Sequence, residues 1–297
     1  MNTAFKCGFI SIIGRSNVGK STLMNHLLGQ KISITSKKIQ TTRLPIRGIV
    51  NYPQAQLILL DTPGFQLKYQ NALYRRLNDH TLASIQNSEL TLWVVEANRF
   101  IEMDQMLLKQ LPDRAKVFLV INKKDLFDHV AEKQAFIKQL SPLYPFQGLF
   151  AVSAKHHQGL ERLIQEIIRL LPESPALYPE NMITDRSSHF LVAEIIREKI
   201  FRYLGQELPY VISVQVSGFT DAPKLVHVDA NLLVEKTSHK GILIGKNGEK
   251  LKKIGSKARL DIEKLLHKKV FLQTWVKVKS NNAEEAEEIA LLKELEP

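Results

Sequence analysis

A short segment near the N-terminus, Gly14 to Ser21, has the residue types and the spacing of a phosphate-binding loop. It reads Gly-Arg-Ser-Asn-Val-Gly-Lys-Ser and lies between an apolar strand-like run, Cys7 to Ile13, and a helix-like segment. Its glycines let the backbone curl until successive N–H groups point at phosphate oxygens, and the start of the helix adds a positive dipole end. In such a loop Lys20 would bridge the phosphates and the Ser21 hydroxyl would bind Mg²⁺. The sequence therefore predicts a nucleoside triphosphate site that includes Gly14, Arg15, Ser16, Asn17, Val18, Gly19, Lys20, Ser21 and Thr22.

A second polar motif, Asp61-Thr62-Pro63-Gly64, ends the apolar run Leu57 to Leu60. A carboxylate at the carboxyl end of a parallel strand faces the phosphate loop, where it can hold Mg²⁺ through water. The Gly64 N–H can approach a γ-phosphate because no Cβ stands in the way. Taken alone, the motif could be a plain turn. Because it follows a phosphate loop, it predicts the metal side of a nucleotide site.

A third and a fourth motif predict which base is bound. In Asn122-Lys123-Lys124-Asp125 the Asp125 carboxylate can accept hydrogen bonds from guanine N1–H and from its 2-amino group, a donor pair that adenine lacks. Asn122 would brace this loop, and the aliphatic stem of Lys123 can lie along the base. Ser153-Ala154-Lys155 can offer a backbone N–H to guanine O6, an interaction that the amino group of adenine would repel. These residues predict GTP and GDP as the ligands.

The segment Gln40-Thr41-Thr42-Arg43 lies between the first predicted helix and the second predicted strand. One of its threonines should supply a Mg²⁺ ligand that orders this loop only when the γ-phosphate is present. Thr42 is the choice because it is nearer the following strand, and Thr41 stays open as the alternative. The predicted metal ligands are thus Ser21, Thr42 and Asp61, and the predicted catalytic residues include Lys20, Thr42 and Gly64.

The order of strands and helices predicts two domains. Residues 5 to 171 alternate apolar strands with helical patterns, which is typical of an α/β domain with a largely parallel sheet. We therefore assign residues 1–172 to a GTPase domain and the proline-bearing stretch 173–186 to a linker. Residues 187–280 predict helix, strand, strand, two helices and a strand, and 281–297 form an acidic helix or tail.

A glycine-bearing loop in the second domain is typical of nucleic-acid binding. The segment Ile244 to Ile254 reads Ile-Gly-Lys-Asn-Gly-Glu-Lys-Leu-Lys-Lys-Ile, the G-x-x-G pattern of a KH domain. Residues 236 to 279 hold thirteen Lys and Arg against three acidic residues, whereas 284 to 296 carry a net charge of −5. We predict that an unpaired nucleic-acid strand binds at Ile244, Gly245, Lys246, Asn247, Gly248, Lys250, Lys252 and Lys253.

Composition excludes several other classes. The 297 residues contain a single cysteine, so an internal disulfide framework is excluded. Neither a signal peptide nor an apolar run of about 20 residues is apparent. The net charge of +11 favours a polyanionic partner. Trp93 and Trp275 lie in predicted strands and are expected in the core, as are Leu251, Ile254, Ala258, Ile262 and Leu265 of the helix after the G-x-x-G loop.

The first-domain motifs together resemble the translation-factor class of small GTPases. Residue 65 is Phe, where Ras-like proteins carry the glutamine that orients water. In the subgroup that lacks this glutamine, an asparagine at the position of Asn17 can coordinate K⁺. The resemblance therefore implies that Asn17 joins the catalytic residues and that K⁺ stimulates hydrolysis.

The whole chain resembles the Era family of bacterial GTPases, in which a Ras-like P-loop G domain precedes a smaller α+β prokaryotic (type II) KH domain. The resemblance implies a Mg²⁺-dependent GTPase that binds the single-stranded 3′ region of 16S rRNA, and not DNA, during assembly of the 30S ribosomal subunit. It also implies a cytoplasmic protein with peripheral association with the inner membrane.

Two other functions compete with this one. The chain could be a constitutive RNA-binding module in which the nucleotide is mainly structural, and measurable GTP turnover would separate the two. A G protein of membrane remodelling is disfavoured, because a compact mixed domain follows residue 171 in place of a long helical stalk.

Overall fold

The computed structural model describes residues 4–35, 46–62, 64, 72–112, 114–205 and 208–279. Contacts within the chain divide it into two units. The first comprises Met1–Ser33 and Thr42–Asp185, and the second comprises Ile34–Thr41 and Arg186–Pro297.

Within the described ranges, one six-stranded sheet forms the centre of the first unit. Its strands are β1 (Lys6–Ile13), β2 (Ile46–Tyr52), β3 (Ala55–Asp61), β4 (Leu90–Glu96), β5 (Val117–Asn122) and β6 (Gly148–Ala151). Their order across the sheet is β2-β3-β1-β4-β5-β6. Only β2 and β3 pair antiparallel, and every other neighbouring pair is parallel. The predicted α/β domain with a largely parallel sheet is confirmed.

Helices alternate with these strands and cover the sheet. They are α1 (Lys20–Leu28), α2 (Ala72–Gln86), α3 (Glu102–Leu108), α4 (Val130–Leu140) and α5 (Leu160–Leu170). Every residue of β5 is buried, which explains its uninterrupted apolar sequence, because a central parallel strand is covered on both faces. Trp93 of β4 is completely buried among Ile85, Leu107 and Leu140 from three of these helices, as predicted.

The stretch 173–185, which is nearly all of the predicted linker 173–186, lies against the sheet of the first unit. Gln56 of β3 accepts hydrogen bonds from the N–H groups of Leu177 and Tyr178, both at 2.9 Å, through its side-chain oxygen. Its side-chain nitrogen donates to the Tyr178 carbonyl at 2.8 Å. Further along, the N–H of Ile49 in β2 donates to the carbonyl of Ile183 at 2.9 Å. A run of prolines thus marks a change of secondary structure here, while backbone and side-chain hydrogen bonds keep the segment on the first unit.

The second unit has the predicted order of elements. They are α6 (Ser188–Tyr203), β7 (Ile212–Asp221), β8 (Leu225–Val234), α7 (Thr237–Ile244), α8 (Glu249–Leu266) and β9 (Lys269–Val278). The sheet order is β7-β8-β9, with β7 and β8 antiparallel and β8 and β9 parallel. The predicted apolar face of α8 is confirmed, because Ile254, Ala258 and Ile262 are completely buried and Leu251 and Leu265 pack against them.

The prediction that Trp275 belongs to the core is wrong. Trp275 lies in β9 and 56% of its surface is exposed. Side chains alternate between the two faces of a strand, and α6, α7 and α8, the described helices of this unit, pack against only one face of the sheet. Val270, Leu272 and Val276 point to that covered face, so the odd-numbered residues point away from it.

Replacing Gln56 with alanine should loosen the stretch 173–185. The change removes the acceptor for two backbone N–H groups, so the free energy of unfolding of the first unit should fall by roughly 1–3 kcal/mol. Denaturant unfolding measures this loss, and limited proteolysis should show faster cleavage between residues 173 and 185. The control is Gln54→Ala, which alters an exposed glutamine two residues away. Equal cleavage of the two variants would contradict the tethering role of Gln56.

Candidate functional site

The phosphate loop joins β1 to α1, and its backbone has conformations that favour glycine. Gly14 and Gly19 have φ angles of 147° and 99°, and Asn17 at the exposed turn has a φ of 68°. A Cβ on Gly14 would lie 2.4 Å from the Val94 carbonyl oxygen, and one on Gly19 would lie 2.3 Å from the Asn122 side-chain nitrogen. The loop can therefore keep this close packing only with glycine at both positions. Val18 between them is buried.

Lys20 is buried at the base of this loop. Its Nζ donates to the carbonyl oxygens of Gly14, at 3.0 Å, and Arg15, at 3.1 Å. Burial lowers the pKa of Lys20 to about 8, although the negative charge of Asp61 opposes the change. A phosphate beside this ammonium would favour its charged form, so a phosphate ligand and the protonated Lys20 stabilise each other. Thr22, in the first turn of α1, is half-buried.

Oxygen atoms suited to Mg²⁺ converge at the end of β3. The Ser21 hydroxyl donates to Asp61 Oδ2 at 2.8 Å, and the Ser33 hydroxyl donates to the same oxygen at 2.6 Å. Asp61 is completely buried, and the adjacent Thr62 hydroxyl donates to the Ile12 carbonyl at 2.9 Å. Hydroxyl and carboxylate oxygens are the donors that Mg²⁺ prefers. The two described residues of the predicted metal site, Ser21 and Asp61, are therefore in contact and fit that ion.

Gly64 also packs closely against the phosphate loop, since a Cβ on it would lie 2.5 Å from the Ser16 side-chain oxygen. The lack of a Cβ at Gly64 permits this close packing, which is the property that the sequence analysis used to place Gly64 in the site. The remaining predictions for this side of the site, at Thr41, Thr42, Pro63 and Phe65, lie outside the described residues.

Two residues that the sequence analysis missed hold the chain beside Asp61. Asn25 of α1 accepts hydrogen bonds from the N–H groups of Ile32 and Ser33, and its side-chain nitrogen donates to the Ser33 carbonyl at 2.6 Å. This arrangement fixes Ser33 with its hydroxyl on Asp61. Neither residue belongs to a motif with a spacing typical of a nucleotide site, so the sequence analysis assigned neither of them to the site.

The motifs predicted to bind the base form one connected group. Asn122 is buried, donates to the Val18 carbonyl at 2.8 Å and accepts from the Ala154 N–H at 3.0 Å, which ties the phosphate loop to the Ser153-Ala154-Lys155 segment. Asp125 is exposed, and the Ser153 hydroxyl donates to it at 2.5 Å. That hydrogen bond holds the pKa of Asp125 below its ordinary value, so the carboxylate stays ionised. Lys155 is exposed.

Arg15 and Lys123 meet at a carboxylate that the sequence did not identify. Arg15 of the phosphate loop is buried and contacts Glu96 at 2.6 Å and Asp104 at 3.1 Å. Lys123 contacts the other oxygen of Glu96 at 2.5 Å. Burial raises the pKa of Glu96, but the hydrogen bonds and charges of Lys123 and Arg15 outweigh it and leave the pKa below its ordinary value. Glu96 thus couples the phosphate loop to the base-binding loop.

The G-x-x-G loop of the second unit joins α7 to α8. Gly245, Asn247 and Gly248 have φ angles of 74°, 52° and 76°, so three of its residues are in the left-handed region. A Cβ on Gly245 would lie 2.7 Å from the Cβ of Lys250, whereas one on Gly248 would meet no atom within 4 Å. Gly248 therefore faces open space from which another molecule can approach.

The residues in and around this loop that are predicted to bind RNA differ in how exposed they are. Lys246, Asn247 and Lys252 are exposed, and Lys250 and Ile244 are half-buried. The Lys253 ammonium lies 4.9 Å from the centre of the Tyr203 ring, a cation–π contact. Lys253 is therefore partly engaged by its own unit.

Comparison with known proteins identifies the family. The model of a family described as 50S ribosome-binding GTPase matches residues 9–123, and the KH domain model matches residues 207–283. GTPase Era of Neisseria meningitidis serogroup A is 50% identical over 293 residues, which are 98% of this chain and 94% of that protein. The chain belongs to the GTPase Era family. GTPase Era of Chromobacterium violaceum is likewise 50% identical, over 96% of each protein.

Two solved Era structures match over nearly the full length. A single-residue variant of Aquifex aeolicus Era bound to GDP·AlF4⁻ has a TM-score of 0.91 and 33% identity, covering 98% of this chain and 99% of that one. Era in complex with MgGDPNP and nucleotides 1506–1542 of 16S ribosomal RNA has a TM-score of 0.90, with the same identity and coverage. The predicted P-loop GTPase followed by a KH domain is therefore confirmed as the fold of an Era-family GTPase.

Replacing Glu96 with glutamine should weaken guanine nucleotide binding. The variant leaves Lys123 without a charged partner and leaves the buried Arg15 with Asp104 alone, so both loops lose a common anchor. We expect fluorescent GDP to dissociate about tenfold faster, a change of about 1.4 kcal/mol. Stopped-flow measurements give this rate directly.

The matched control is Glu102→Gln, which neutralises an exposed glutamate at the start of α3. It should release GDP at the rate of the parent protein. Parent-like GDP release by Glu96→Gln would show that Glu96 does not couple the loops.

Proposed function

We propose that this chain binds and hydrolyses GTP at the first-unit motifs and uses the nucleotide to control binding of single-stranded 16S rRNA by the second unit during assembly of the 30S subunit. The observation that carries this proposal is that the Asn122 side chain joins the predicted phosphate loop to the predicted base-binding segment, in a chain that also has an open G-x-x-G loop in a basic KH unit. Membership in the GTPase Era family supports the combination.

The proposed nucleotide chemistry follows from the contacts of the first unit. Loop N–H groups and Lys20 bind the phosphates, and the Gly64 N–H approaches the γ-phosphate. Ser21 and Asp61 would hold Mg²⁺, which neutralises charge on the β- and γ-phosphate oxygens. Asp125 and the Ser153-Ala154-Lys155 segment would select guanine. Thr42 stays the predicted third metal ligand, with Thr41 as its alternative.

K⁺ is the proposed additional cation of this site. Asn17 supports it, because its left-handed φ of 68° places an exposed amide at the turn of the phosphate loop. A cation held there would stabilise charge that develops between the β- and γ-phosphates. We expect kcat to be at least about tenfold higher in KCl than in NaCl at matched ionic strength.

The variant Asn17→Ala should lose this stimulation. Asn87→Ala is the control, because Asn87 is also an exposed asparagine and lies between α2 and β4, outside the proposed site. Equal kcat of the parent protein in the two salts would exclude the K⁺ proposal.

The proposed RNA site is the groove beside the G-x-x-G loop. The similar Era structure holds nucleotides 1506–1542 of 16S rRNA, and the loop of this chain has glycine at both positions where close strand approach needs it. The exposed Lys246 and Lys252 would meet phosphates, and the Asn247 amide would donate to them. The expected partner is therefore RNA of the small subunit.

Replacing Gly248 with aspartate should separate the two activities. The change puts a negative charge and a Cβ beside the RNA backbone, so affinity for the 1506–1542 fragment should fall at least about tenfold at physiological salt. GTP hydrolysis should persist, because the first unit keeps its own core. Filter binding and phosphate release measure the two activities.

Gly248→Asn is the matched variant, since asparagine accepts a positive φ and adds nearly the same volume without charge. It should retain more RNA affinity than Gly248→Asp.

Co-sedimentation with isolated subunits should recover the parent protein with 30S particles, and recovery with 50S particles alone would contradict the assignment. Absence of GTP turnover would favour the constitutive RNA-binding module.

Cytoplasmic location and peripheral association with the inner membrane stay predictions of the family resemblance. Among the described residues, no helix is both long enough and apolar enough to cross a bilayer.

A further inference from the structure

One face of the KH sheet carries an exposed row of aromatic and basic residues. The odd-numbered residues of β9 are all exposed: Lys269, Phe271, Gln273, Trp275 and Lys277. The ammonium of Lys269, at the start of the strand, also lies 3.8 Å from the carboxylate of Glu263 in α8. Phe271 and Trp275 keep 48% and 56% of their surface exposed. We call these five residues the β9 row.

The neighbouring strand extends this face. In the parallel pairing of β8 with β9, His227 lies beside Phe271 and Asn231 lies beside Trp275. The rings of His227 and Phe271 are 5.5 Å apart. The described helices of the unit pack on the opposite face of the sheet, while on this face His227 is exposed and Asn231 is buried.

Packing within the unit does not account for these aromatic residues. Single exposed apolar residues are common on protein surfaces. Here, however, two large rings point the same way from one strand, about 13 Å apart, and a lysine lies beyond each of them. The strand places its small and aliphatic side chains towards the helices and its aromatic rings towards solvent, the reverse of what core formation favours.

The chemistry of the β9 row fits unpaired RNA. Aromatic rings on a sheet stack bases of any sequence, and flanking cations meet the phosphates between them. Lysine is depleted at protein–protein interfaces, whereas here it ends the row on both sides. β8 contributes one acidic residue to this face, Asp229, which lies beside Gln273.

The row is also continuous with the proposed RNA groove. β9 is an edge strand of the sheet, and both α7 and α8, which flank the G-x-x-G loop, pack against it. A KH groove holds about four nucleotides. A longer strand that leaves the groove can therefore cross the edge of β9 and reach the β9 row.

We propose that the β9 row is a second surface for single-stranded RNA, on which Phe271 and Trp275 stack bases and Lys269 and Lys277 contact phosphates. The proposal rests on the proposed RNA-binding function and extends the bound RNA beyond the nucleotides held in the groove.

The test compares RNAs of two lengths on the full-length chain. Trp275→Leu and Phe271→Leu keep apolar side chains but remove the stacking ring, and each should lower affinity for the 1506–1542 fragment about tenfold. Neither should change affinity for a four-nucleotide RNA that fills the groove. Trp275→Phe should restore most of the loss, and Leu260→Ala, at an exposed apolar residue of α8, should have no effect.

Tryptophan fluorescence provides an independent measurement. Trp93 is completely buried, so acrylamide should quench mainly Trp275 in the folded chain. The 1506–1542 fragment should shield Trp275 from acrylamide, and the four-nucleotide RNA should not.

Three results would overturn the proposal. Parent-like affinity of both leucine variants for the long RNA would show that the rings do not stack on it. A Trp275 that resists acrylamide before RNA is added would show that the acidic segment 281–297 or a second copy covers the row, and sedimentation velocity would tell these two apart. A length-independent loss in the leucine variants would place the defect in the groove.

Gly248→Asp keeps this test separate from the proposed function. If Gly248→Asp binds RNA as the parent does, the groove assignment fails; if only the leucine variants do, the β9 row alone fails.

Discussion

The buried side chain of Asn122 joins two loops of the predicted nucleotide site. It donates to the phosphate loop at Val18 and accepts from Ala154, so two loops that are more than a hundred residues apart in the chain share one amide group. The same side chain lies where a Cβ of Gly19 would be. Removing it would leave a buried N–H and a buried carbonyl without these partners, which costs more than the lost hydrogen bonds themselves. The parallel sheet makes this sharing possible, because the carboxyl ends of β1, β5 and β6 meet at one edge.

Several charged side chains of the same motifs are also buried. Burying a charge is unfavourable unless polar or charged partners stabilise it. Lys20, Arg15 and Asp61 are all buried, and each is held by carbonyls, carboxylates or hydroxyls of nearby elements. Burial alone would favour the neutral form of Lys20, which is why its pKa lies near 8. A binding site built this way discriminates by charge, because an anionic ligand relieves an electrostatic penalty that a neutral ligand would leave in place.

The sequence motifs predicted those parts of the molecule whose backbone must fit a ligand. Gly14, Gly19, Gly248 and the strand-end polar residues recur at fixed spacings, because loop geometry fixes which positions can approach a phosphate or a base. The partners of these residues followed no such rule. Glu96 meets Arg15 across 81 residues, and Ser33 meets Asp61 across 28, through side chains that only the folded sheet brings together. Trp275 was misassigned because the sequence of a strand shows that its side chains alternate between two faces, but it does not show which face the helices cover. Gln56 was not predicted to have a structural role, because it lies in an apolar strand. Its buried side-chain amide nevertheless holds the stretch 173–185 through hydrogen bonds.

The hydrogen bond from Ile49 to Ile183 has a practical meaning for the boundaries of the first unit. β2 is the outermost strand of its sheet, and a bare outer strand offers unpaired N–H and carbonyl groups to the strands of other molecules. The stretch ending at Asp185 occupies this position and carries an ion pair from Asp185 to Arg47 of β2 at 3.1 Å. A GTPase unit expressed only to the end of α5 would lack that cover and invite edge-to-edge aggregation. A GTPase unit extended to Asp185 would keep β2 covered, so that β2 could not pair with a strand of another molecule.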